Sequence, residues 1–137
     1  SSGELQNLLL ENGTPVYEYM GGLVEKWGEP TAGRYGYSAV GAVVGATHPA
    51  EAERLRAEMP HTMFLVPGYG AQGGTADGLS VCFDSRGRGA IVNNSRGILC
   101  AYKADKYKGM SFAAAAESAV VDMREDIAGA LKRAGKA

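Results

Sequence analysis

The chain has 137 residues, 45% of them hydrophobic, and a net charge of −1, enough for one domain with an apolar core. No dense run of Lys or Arg is present, which argues against a nucleic-acid binder, and the longest apolar stretch, near Val40 to Ala46, is too short to cross a bilayer. Cys82 and Cys100 lack metal-ligand spacing and read as core fillers of an intracellular protein, so the cytoplasm is the expected location.

Ser1 and Glu4 have capping-box spacing, and Leu5, Leu8 and Leu9 follow at helical period until Asn12-Gly13. Thr14-Pro15 reads as N-cap and first residue of a second helix. Its stripe is Val16, Met20, Leu23, Val24 and Trp27, closed by Gly28 and Pro30. Val40 to Ala46 is continuously apolar and short, which predicts a strand buried on both faces. Thr47-His48-Pro49 opens the next helix, with Leu55 and Met59 inward, and Pro60 ends it. Met63 to Val66 is a second buried strand, followed by a glycine-rich loop, Pro67 to Gly74, and a short helix over Ala76 to Phe83. Gly89 to Asn93 is the third buried strand. After a lysine-dotted loop, Ser111 caps a long helix with Phe112, Ala116, Val120, Met123, Ile127 and Leu131 inward.

Helices alternate with fully apolar strands, which predicts three neighbouring parallel strands joined by helical crossovers. Three strands cannot close a barrel. A (β/α)8 barrel takes about 250 residues, so the expected fold is roughly the half of one, an α/β C-terminal portion of a single barrel domain over residues 1–137.

Two loops carry the unusual chemistry, both at carboxyl ends of adjacent strands. Pro67-Gly68-Tyr69-Gly70-Ala71-Gln72-Gly73-Gly74 holds four glycines in eight residues. Such a loop is either a set of flexible turns or a cradle whose backbone N–H groups face an anion, with the Gln72 amide as an added donor. Asn93-Asn94-Ser95-Arg96-Gly97-Ile98 leaves a strand and begins a helical turn. Amides at a helix start attract anions and Arg96 can grip two phosphate oxygens; the alternative is an arginine salt-bridged at a barrel rim. In barrels, a phosphate commonly lies between the loops after the last two strands. His48 and His61 lack partners at metal or triad spacing and are expected at the surface or in caps. Tyr35 and Tyr37 precede the first strand and are expected to pack.

These two loops, together with Val40 to Thr47, Pro49 and the opening Ser1-Ser2-Gly3-Glu4-Leu5-Gln6, resemble orotidine 5′-phosphate decarboxylase, and more narrowly its bacterial subfamily with longer chains. The likeness covers nearly the whole chain and weakens after Tyr102. It implies a full barrel that decarboxylates orotidine 5′-monophosphate to UMP without a cofactor or metal. It implies that Gln72 touches phosphate and pyrimidine, Arg96 clamps the phosphate, Ser95 offers its backbone, Tyr69 reaches towards the phosphate and Pro67 lines the pyrimidine pocket. Gly70, Gly73 and Gly97 complete the implied substrate-binding set. A homodimer of complete barrels, with neither nucleic acid nor membrane as partner, is the expected assembly.

The family's reacting residues form an Asp-x-Lys-x-x-Asp network on an early strand. No such motif occurs here. Asp105-Lys106-Tyr107-Lys108 has the wrong spacing and follows the last strand, so Lys103, Lys106 and Lys108 read as a solvated loop. No catalytic residue is therefore expected in this chain, and the reacting groups are expected in an N-terminal half outside it. The competing readings are a non-catalytic phosphoribosyl-ligand module and another phosphate-binding barrel enzyme, such as a sugar-phosphate aldolase or isomerase.

Overall fold

A computed structural model describes residues 3–70 and 73–136; Ser1 of the expected capping box lies outside them. Strands β1 (Gly41–Val43), β2 (Met63–Val66) and β3 (Ala90–Val92) form one parallel sheet in the order β1-β2-β3, as their apolar runs predict. Helices α1 (Gly3–Gln6) and α2 (Val16–Gly28) precede the sheet. Helix α3 (Pro49–Glu58) joins β1 to β2, and α4 (Ala76–Leu79), continued by a 3-10 turn, joins β2 to β3. Helices α5 (Ser95–Leu99) and α6 (Phe112–Arg133) follow β3. Parallel neighbours need such crossovers, because a tight turn can only reverse the chain. Among the described residues no helix is long and apolar enough to cross a membrane.

The sheet is not buried on both faces. Phe64 and Val66 are fully buried on the helix side, in one core with Val44, Ala46, Ala52, Met59, Leu79, Cys82, Phe83 and Leu131. Burying each large side chain contributes about 1.5–3 kcal/mol. On the opposite face Val43, Leu65 and Ile91 are paired in register and are 72%, 43% and 60% exposed. Strand side chains alternate faces, so the continuous apolar runs record two buried faces of which this chain covers one.

The helix stripes also shift. In α2 the buried positions are Gly21 and Gly28, and Val24 packs on the core, whereas Met20 and Trp27 are exposed. The helix begins after Pro15, so Thr14 does not cap it. The first helix is only four residues long, and Leu5, Leu8 and Leu9 are exposed. In α6, Ser111 does cap the helix. Its buried line is Ala115, Ala119, Met123, Ala130 and Leu131, while Phe112 and Val120 are exposed. Ala115 and Ala119 admit the close approach of Ala101, which the larger side chains at 112 and 120 would block. Tyr37 packs as expected and donates to Asp84 at 2.7 Å, but Tyr35 is exposed beneath the Arg34 guanidinium.

The base of the sheet is held by a residue with no apolar signature. Arg56 is 8% exposed on α3. Its guanidinium lies 4.0 Å over the Phe64 ring and donates to the carbonyls of Thr62 at 2.9 Å, Gly89 at 3.2 Å and Met59. Burial lowers its pKa from the ordinary value. Beside it, Glu25 accepts from the Thr62 hydroxyl at 2.6 Å and from the His61 amide at 3.1 Å, with the exposed His61 ring nitrogen at 2.6 Å. Burial pushes the Glu25 carboxyl up, but the Thr62 and His61 hydrogen bonds outweigh it and the net shift is downward. Replacing Arg56 by Met keeps bulk and strips the donors from buried carbonyls. This change is expected to lower the unfolding free energy by about 2–4 kcal/mol. Urea titration reads it; a loss under about 0.5 kcal/mol, the size of an ordinary surface change, would show that the guanidinium does not hold the sheet base.

Candidate anion-binding site

Parallel strands deliver the loops after β2 and β3 to the same end of the sheet. Between them lies a small cleft of about 90 Å³, lined by Pro67, Gly68, Tyr69, Asn93, Asn94, Ser95 and Arg96. Its β3 side is built by a cap. The Asn94 side chain accepts from the Gly97 amide at 3.1 Å and starts α5. A Cβ on Gly97 would meet the Asn94 side chain at 2.2–2.5 Å, so the cap requires glycine there. With Gly97 and Ile98 engaged by Asn94, the Ser95 and Arg96 amides have no acceptor among the described residues. These are the free donors of a first helical turn.

Arg96 is exposed and forms no ion pair among the described residues. Arg54 pairs with Glu18, Arg88 with Asp84 and Arg133 with Asp77, so the described residues supply no rim carboxylate to Arg96. Asn94 and Asp126 were missed by sequence reasoning. The Asn94 cap has a local signal, a capping residue three positions before Gly97; the use of Asp126 has none.

The glycine loop differs from an open cradle. The Gly70 amide donates to the Gly74 carbonyl at 2.8 Å, Gly73 to Gly70 at 2.8 Å and Gly74 to Gly68 at 3.0 Å. These amides close the loop on itself, so Gly70 and Gly73, like Gly97, do not offer their N–H groups to an anion here. Gly74 must be glycine because a Cβ would lie 2.6 Å from the Gly68 carbonyl oxygen and 2.8 Å from the Ala46 Cβ. Gln72 and Ala71 lie outside the described residues. Pro67 and Ser95 line the cleft. Tyr69 lines it too, and its hydroxyl donates to Asp126 of α6 at 2.6 Å.

One turn earlier on α6, Asp122 accepts from the Tyr107 hydroxyl and pairs with Lys106. Lys106 is therefore an exposed loop residue held to a helix. His48 is exposed, with Nδ1 3.0 Å from the Thr47 hydroxyl.

Burial, and then the Asp126 carboxylate, push the Tyr69 phenol up to about 12. Burial and Asp84 do the same for Tyr37, again to about 12. A folded value above the ordinary 10 favours the neutral phenol in the native state. The stabilisation is full below pH 10 and is lost as the pH rises towards 12. Of the seven tyrosines, Tyr17 and Tyr107 are also raised above the ordinary value, but phenolate absorbance at 295 nm is expected to show Tyr37 and Tyr69 as the latest to titrate, and one fewer of these in Tyr69→Phe. An unchanged late fraction in that variant would place the Tyr69 hydroxyl in solvent.

No family model matches the chain. The chain is 44% identical over 126 residues to the orotidine 5′-phosphate decarboxylase of Clostridium botulinum, covering 92% of this chain and 44% of that protein. Among solved structures, the Leishmania donovani OMP decarboxylase superposes with a TM-score of 0.69 at 29% identity, over 94% of this chain and 43% of that one. The Leishmania donovani UMP synthase gives a TM-score of 0.59 at 34% identity, over 88% of this chain and 24% of that one. The chain thus spans under half the length of the curated relatives it matches. Its three parallel strands with their helices are a partial α/β barrel. Sequence and fold agree on what this chain is similar to: somewhat under half of an orotidine 5′-phosphate decarboxylase.

Proposed function

We propose that the chain is the C-terminal portion of an orotidine 5′-phosphate decarboxylase and supplies the grip on the substrate's 5′-phosphate. The observation that carries this reading is Arg96, free of carboxylates among the described residues, at a cleft between the carboxyl ends of β2 and β3. Beside it, the Ser95 and Arg96 amides are free donors among the described residues. A planar guanidinium beside two free backbone amides suits an oxyanion. The family resemblance gives Gln72 a contact with the phosphate and the pyrimidine, and gives Pro67 a place beside the pyrimidine.

In this reading the reaction needs no cofactor. The bond from the pyrimidine ring to its carboxylate breaks, CO2 leaves, and a proton from a Lys replaces it on the ring carbon. That Lys and its Asp partners belong to the N-terminal half of the barrel. The contribution of the present chain is remote: phosphate binding anchors the substrate so that the reacting end is held in the transition-state geometry. The exposed row Val43, Leu65 and Ile91 supports a barrel interior filled from the other half. The assembled protein works in the cytoplasm as a homodimer of complete barrels.

The 137-residue chain alone is expected to release no UMP from orotidine 5′-monophosphate, and activity is expected when an N-terminal half bearing the Lys and Asp motif is present. Turnover by the purified chain alone would refute this division of roles.

In the assembled enzyme Arg96→Ala is expected to lower kcat/KM on orotidine 5′-monophosphate by about tenfold to several hundredfold, from a charge-assisted bond of about 1.5–3 kcal/mol or more. Orotidine, which lacks the phosphate, is expected to be almost unaffected. Equal losses on both substrates would mean that Arg96 only supports the rim.

A further inference from the structure

One face of α6 holds the Tyr69 loop, which frames the Arg96 cleft, and the segment that follows α5. Asp122 and Asp126 are one helical turn apart, on the same side of the helix. Asp122 takes the Tyr107 hydroxyl and Lys106 from the segment after α5. Asp126 takes the Tyr69 hydroxyl at 2.6 Å from the loop after β2. Tyr69 also lines the Arg96 cleft and packs against the core. It is therefore the wall between the cleft and the helix, and its hydroxyl is fastened on the far side.

We propose that Asp126 is a positioning residue for phosphate binding, acting through the Tyr69 hydroxyl to fix the wall of the cleft that faces Ser95 and Arg96. The inference rests on the phosphate-grip reading above. Asp126 does not touch the anion: its negative charge would repel one, and it lies behind the tyrosine ring. Its effect is to hold Tyr69 in one place, so that the loop does not have to be ordered at the moment of binding. Losing the tether transfers that ordering cost to the phosphate. A ligand without phosphate does not use the wall and is indifferent to it.

The test is calorimetric binding of UMP and of uridine to the full-length protein that contains this chain. Asp126→Ala and Tyr69→Phe are each expected to weaken UMP by about three- to thirtyfold and to leave uridine within about twofold. Asp126→Asn, which keeps an acceptor oxygen, is expected to recover most of the loss. The double variant is expected to be no worse than either single one, since both remove the same bond. Tyr69→Phe deletes one oxygen only and keeps the test valid if Asp126→Ala does not fold. Unchanged UMP affinity in the single variants, or equal losses for UMP and uridine, would overturn the proposal. The Arg96→Ala variant separates the two levels. If wild type and Arg96→Ala show the same preference for UMP over uridine, the phosphate reading fails and this inference with it. If Arg96→Ala loses the preference but Tyr69→Phe and Asp126→Ala keep it, the positioning role alone fails.

Discussion

The buried guanidinium of Arg56 joins three carbonyls at the base of the sheet, those of Met59, Thr62 and Gly89. Gly89 leads into β3 and Thr62 into β2, so one side chain of α3 sets where both strands begin. The Gly89 carbonyl also accepts from Phe64 at 2.9 Å, the first rung between the two strands. With that rung fixed, the parallel register Phe64 to Ala90, Leu65 to Ile91 and Val66 to Val92 follows. The carboxyl ends then deliver Pro67 and Asn93 side by side. The cleft at the top depends on a charge buried at the bottom. A buried charge without a carboxylate is costly unless its donors are filled; here three carbonyls and the Phe64 ring fill that role.

The same geometry divides the sheet's two faces. Towards the helices, Phe64 and Val66 have no exposed surface. Away from them, Val43, Leu65 and Ile91 make an apolar row left exposed by the described residues. Both outer strands also end in open edges. The Val44 and Asn93 amides donate to β2, so the alternation of a parallel ladder turns those of Val43 and Val92 outward. Unpaired edges beside an apolar face are a liability in a finished protein. Both are removed together if further strands continue the sheet into a closed barrel.

Much of this was legible in the residues. Short apolar runs separated by helical patterns predict three parallel strands, which form one sheet in chain order, and the two loops at their carboxyl ends border one cleft. What failed did so for identifiable reasons. The runs were read as buried on both faces, which is a property of the whole barrel and not of this part. The α6 stripe holds at Met123, Ile127 and Leu131 but fails in its first half, where Phe112 and Val120 are exposed and the close approach of Ala101 selects Ala115 and Ala119. Arg56 lies in a highly charged helix beside Arg54, which does face solvent and pairs with Glu18; nothing local distinguishes the two. Tyr69 and Asp126 are 57 positions apart, and no pattern along the chain links them. The glycine loop was recognised by composition, but whether its amides face outward or close on one another is a matter of three dimensions.

A sheet that is one part of a closed barrel keeps no open edge at β1 or β3. Hydrogen exchange at the Val43 and Val92 amides in the full-length protein reads this, because those two groups point to the edges. Protection comparable to that of the Val44 and Asn93 amides, which are already bonded to β2, is expected. Exchange of Val43 and Val92 at the rate of solvent-exposed amides, with Val44 and Asn93 still protected, would show that the sheet ends at β1 and β3 and would contradict a closed barrel.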